Sequence, residues 1–67
     1  MKTINVKTNK FEYTITFNGN TMSMSSTDKT FNFENQTITS EQDATNKFKF
    51  IMKCRGEEII EWNEVNS

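Results

Sequence analysis

At 67 residues the chain makes one domain, and a chain this short buries only about 60% of the surface its unfolded form exposes. Its apolar share is 33%, so six Phe, one Tyr and one Trp must supply much of the core, each burying roughly 150–250 Å². That aromatic content, with a net charge of −1, excludes a disordered chain, and the charge argues against a general nucleic-acid binder, which tends to be basic.

Thr3–Lys7 reads as a short strand with Ile4 and Val6 on one face and lysines at its ends, the pattern of a guarded sheet edge. Thr8-Asn9-Lys10 is then a tight connection. Phe11, Tyr13, Ile15 and Phe17 alternate with Glu12, Thr14 and Thr16, the period-2 signature of a half-buried strand. Asn18-Gly19 predicts a type I′ hairpin turn, which pairs Phe17 with Asn20, Ile15 with Met22, Tyr13 with Met24 and Phe11 with Ser26. The uncharged returning strand Thr21–Ser26 is the expected free edge, open to a partner strand or a second copy. Ser25–Lys29 is a loop. Thr30–Phe33, with Phe31 and Phe33 inward, and Gln36–Thr39, with Ile38 inward, read as short strands or one bent strand.

Thr8-Asn9-Lys10-Phe11 recurs as Thr45-Asn46-Lys47-Phe48, each copy leading by alternation into one of the two glycines, Gly19 and Gly56. This favours a second hairpin over Lys47–Val65, turning at Cys54-Arg55-Gly56 with a bulge and Gly56 left-handed. It pairs Phe48 with Trp62, Phe50 with Ile60, Lys49 with Glu61 and Lys53 with Glu57. The leading expectation is therefore an all-β fold, a small antiparallel meander barrel or two-layer sheet of five to seven short strands, with Phe11, Tyr13, Phe48 and Phe50 in one core. The alternative is α+β, with one helix at about 41–55 packed on an antiparallel sheet. Ser40 and Asp43 imitate a capping box, Gly56 suits a helix C-terminus, and Ala44, Phe48, Ile51 and Met52 form a helical stripe. Against the helix stand Asp43, Thr45 and Asn46, weak helix formers, and the segment Glu57–Val65, which it leaves without a strand partner.

The absent chemistry is as informative. With no His and a single Cys, zinc sites of Cys/His type and His-dependent nucleophilic triads are excluded. Two isolated glycines cannot form a phosphate-binding loop. The carboxylate pairs Glu57/Glu58 and Glu61/Glu64 read as a solvated strand face opposite lysines, and a domain this small has little room for a pocket of ~300 Å³ or more. No catalytic residue, cofactor or metal is expected. Cys54 cannot form an internal disulfide, which points to a reducing cytoplasm. Beside Lys53 and Arg55 it is a candidate reactive thiol, and more simply a small apolar residue at a hairpin end. No apolar stretch of signal-peptide or membrane-spanning length occurs. Asn35-Gln36-Thr37 fits a glycosylation sequon without other signs of secretion.

The candidate partner-binding residues are Trp62, Lys49, Lys53, Arg55, Glu57 and Glu61, all on the second hairpin. Trp62 is a natural hot spot if partly exposed. The first functional expectation is a non-enzymatic module that binds a larger cytosolic protein through a sheet face or edge. In its compact, His-free, Asn/Lys-rich composition the chain resembles small phage and mobile-element proteins. That resemblance implies stoichiometric inhibition of a host protein in a bacterial or phage-infected cell. The second is a single-strand nucleic-acid-binding small barrel, in which Lys47, Lys49, Lys53 and Arg55 interleave with Phe48 and Phe50. The third is a structural subunit that assembles with its own copies through an exposed strand edge.

Overall fold

A computed structural model describes residues 1–29 and 31–66, Asn66 in its backbone only. It consists of β1 (Lys2–Thr8), β2 (Glu12–Asn18), β3 (Thr21–Ser26), β4 (Phe33–Thr37), α1 (Glu41–Cys54) and β5 (Ile59–Asn66). The strands form one open antiparallel sheet in the order β4-β3-β2-β1-β5. The architecture is α+β, with the helix covering one face of the sheet; no barrel closes, and the expected second hairpin is absent.

Local chemistry accounts for the helix. Ser40 is its N-cap, its hydroxyl accepting from the backbone N–H of Asp43 at 3.0 Å. Ala44, Phe48 and Met52 recur at every fourth position and are its buried residues. At the far end Gly56 donates to the Lys53 carbonyl and Glu57 to the Met52 carbonyl, the paired bonds of a Schellman motif. Gly56 has the left-handed conformation the sequence suggests, with φ 73°. It ends a helix rather than turning a hairpin. The weak helix formers at 43–46 are outweighed by the cap and by burial of the apolar stripe on the sheet.

Strand β5 pairs along β1, Trp62 opposite Val6 and Asn63 opposite Asn5. That pairing places β1 inside the sheet rather than at its edge. Thr21–Ser26 is interior as well, because β4 pairs with it. The free edges are β4 and β5. Strand β4 is short and kinked by Asn35 (φ 52°), where its register with β3 shifts. Of the expected strand Thr30–Phe33, Thr30 lies outside the described residues; Phe33 opens β4 and Phe31 precedes it.

The first hairpin exists with its register moved by two residues: Phe17 faces Met22, Ile15 faces Met24 and Tyr13 faces Ser26. The loop is Gly19-Asn20, with positive φ only at Gly19, so the expected type I′ geometry is not met. A two-residue shift preserves which side chains face inward. The core therefore takes in Ile4, Val6, Tyr13, Ile15, Phe17, Met22 and Met24 beneath Ala44, Phe48 and Met52, with Phe11 packed beside them. Phe50 lies outside it, 66% exposed on the helix. The two Thr-Asn-Lys-Phe copies fold differently, one around the β1–β2 turn and one within α1.

Candidate functional site

Two features stand out: a buried polar knot below the helix C-terminus, and an apolar cleft along the other flank of the helix. The knot forms because the Schellman turn drives Glu57 inward, to 6% exposure. Its Oε1 accepts from the Tyr13 hydroxyl at 2.6 Å and the Thr8 hydroxyl at 2.7 Å, and its Oε2 from Arg55 Nε at 2.7 Å. Arg55 also pairs with Asp28, and its guanidinium lies 4.9 Å from the Phe31 ring centroid and 5.9 Å from that of Phe11. Burial alone pushes the Glu57 carboxyl upward. The hydrogen bonds from Tyr13, Thr8 and Arg55, with the guanidinium charge, outweigh it and hold the carboxyl below its ordinary value. Burial, then the hydrogen bond and charge of Glu57, raise the Tyr13 phenol well above its ordinary value. The knot ties the end of β1, β2, the β3–β4 loop and the end of α1 together.

The cleft lies between α1 and the β3–β4 side of the sheet. It is an open hollow of about 350 Å³ lined chiefly by Met22, Met24, Phe33, Ile38, Phe48 and Ile51. It exists because a single helix cannot roof five strands. Ile38 is anchored there by its N–H, which donates to the Asn20 carbonyl at 2.8 Å. An Asp43–Lys47 ion pair of 3.2 Å stands at the helix side of the cleft. A larger hollow of about 460 Å³ crosses the open face of the sheet, lined by groups such as Asn5, Lys7, Glu12, Thr14, Ser25 and Asn63. The expectation that so small a domain lacks such hollows does not hold. Polar groups in the larger hollow stay well hydrated, whereas apolar lining gains free energy when covered. The smaller cleft is therefore the stronger candidate.

The residues singled out from the sequence are dispersed. Arg55 and Glu57 meet, but as part of the inward-facing knot. Trp62 is half-buried and packs on Phe48 with ring centroids 5.9 Å apart, and Lys49 lies 5.1 Å from its ring. Lys53 is exposed in the last turn of α1, and Glu61 is exposed on β5 opposite Lys7. The expected pairs Lys49–Glu61 and Lys53–Glu57 do not form, because 41–54 is helix. Cys54 is an exposed helical residue. The cleft residues Met22, Met24, Phe33 and Ile38 were legible only as core. Ile51 stood in the helical stripe, and its 38% exposure marks where that stripe leaves the core and enters the cleft. Among the described residues, no three or more His, Cys, Asp or Glu side chains lie together to hold a metal, and no helix is long and apolar enough to cross a membrane.

No protein family matches the chain, and neither the curated proteins nor the solved structures compared with it give a match.

Proposed function

We propose that the chain is a protein-binding module that receives an apolar side chain of a larger protein in the cleft between α1 and β4. The observation that carries this reading is the cleft itself, concave, apolar and next to the free β4 edge. Its two methionines can adapt their shape to an incoming group. An extended segment adding to β4 would place alternate side chains against the cleft while its backbone pairs with the edge.

The test is a photo-crosslinking amino acid at Thr37, on the cleft rim, with capture from a lysate of the source cell. One partner crosslinked in near-stoichiometric yield, lost in Ile51→Glu and retained in the Ile60→Glu control, is the expected result. No such partner, or equal capture by Ile51→Glu, overturns the reading.

The nucleic-acid alternative draws on exposed Phe50, which shares α1 with Lys47, Lys49 and Lys53. Its electrostatic basis is thin: Lys47 is paired with Asp43 and Arg55 with Asp28 and Glu57. Fluorescence anisotropy with labelled single strands tests it, since such binding must weaken steeply with added salt.

A further inference from the structure

The surface separates exposed apolar groups by the sign of their neighbours. On α1, Phe50 is 66% exposed, and Lys47 and Lys53 lie three residues either side of it on the same helix face. At the start of β5, Ile60 is 59% exposed between the exposed carboxylates of Glu58 and Glu61, on the free edge of the sheet where the register with β1 shifts. Some nearby charges are already matched: Lys47 with Asp43, and Lys2 with Glu64 and Glu41. Lys53, Glu58 and Glu61 make no ion pair among the described residues. Phe50 with the unpaired Lys53 one turn away, and Ile60 flanked by the unpaired Glu58 and Glu61, thus occur in one molecule.

We propose that these patches bind each other between copies of the chain, Phe50 and Lys53 of one copy seating against Ile60, Glu58 and Glu61 of the next. The second copy is the occupant because it supplies the complement of each patch in both charge and apolarity. A net charge of −1 leaves little overall repulsion between copies. Because the two patches differ, the contact is heterologous and repeats head to tail, giving rings or open chains. It does not involve the cleft, so it stands or falls apart from the reading above.

Sedimentation velocity of the full chain, from micromolar to millimolar concentration at low and high salt, tests the proposal. The sedimentation coefficient should rise with concentration at low salt and fall back to the monomer value at high salt. Phe50→Ser, Lys53→Glu and Glu61→Lys should each be monomeric at low salt, with melting curves confirming that they fold. Mixing Lys53→Glu with Glu61→Lys restores the wild-type contact between unlike copies and sets opposite charges against each other at the remaining ends, so association should return at low salt. A wild-type monomer throughout, association that persists at high salt or in Phe50→Ser, or a mixture that stays monomeric would each overturn it.

Discussion

Tyr13 and Glu57, 44 residues apart in the chain, are joined by a 2.6 Å hydrogen bond in which the phenol donates to the carboxylate. The bond fastens the second strand of the sheet to the residue just beyond the helix. Thr8 reaches the same oxygen from the end of β1, and Arg55 grips the other oxygen and reaches Asp28. The position of α1 over the sheet is therefore held by polar bonds as well as by Phe48 and Met52.

Glu57→Ala should destabilise the fold by about 2–4 kcal/mol, because it leaves the buried Tyr13 hydroxyl without its acceptor and takes from Thr8 and Arg55 one of the two acceptors each holds. Glu57→Gln keeps the shape and one acceptor oxygen and should cost less. Urea unfolding checks both; a midpoint unchanged in Glu57→Ala would mean that the knot contributes nothing.

Stability should fall at both extremes of pH. The Glu57 carboxyl titrates below its ordinary 4.5 when folded. Its contribution is complete above that value and is lost as pH falls through the lower folded pKa. The Tyr13 phenol is raised above its ordinary 10.0. Its contribution is complete below that value and is lost as pH rises towards the folded pKa, and the raised Lys2 ammonium adds in the same sense. Tyr13 is the sole tyrosine, so tyrosinate absorbance reports it directly. Ionisation in the folded protein at the ordinary value would contradict its bond to Glu57.

Phe48 and Phe50, two positions apart, should respond oppositely to truncation. Phe48 is 3% exposed and touches Tyr13 and Trp62, so Phe48→Ala should cost about 3–5 kcal/mol. Phe50 is exposed, and Phe50→Ala should change stability by no more than about 0.5 kcal/mol. Thermal melts of the pair decide between helix and strand here, since a strand would put both rings on one face.

Gly56→Ala should cost about 1 kcal/mol and Gly56→Val more, because φ is 73° and side chains resist that region. An added Cβ would meet nothing within 4 Å, so the penalty is conformational rather than steric crowding. Gly56→Asn, which tolerates the left-handed region, should recover part of it. Equal melting temperatures for Ala, Asn and Val variants would argue against the Schellman turn.

How far these features were legible depends on where their causes lie. The alternation over residues 11–17, the glycine-containing turn after it and the left-handed Gly56 all follow from chemistry within a few residues, and each is present. The Ser40 cap and the Ala44–Phe48–Met52 stripe were also visible, yet the alternation of Phe48, Phe50 and Met52 and the need for a partner to Glu57–Val65 favoured a strand over them. Nothing local could show that Glu57 would meet Tyr13 and Thr8, or that Ile51 would border a cleft.

Local patterns in the sequence were enough for a partly aromatic core, three opening strands with the correct inward faces, a hairpin turn at the first glycine and a left-handed second one. The tertiary structure alone decided whether residues 41–54 became helix or strand. A strand at β5 needs a partner, and the hairpin reading supplied one next to it in sequence; the folded chain supplies β1 instead, more than 50 positions away. Once β1 takes β5, the apolar face of Ile4, Val6, Tyr13, Ile15, Phe17 and the two methionines still needs a cover. Burying that face favours residues 41–54 as a helix lying across it, and the same choice turns Phe50 outward and opens the cleft beside Ile51.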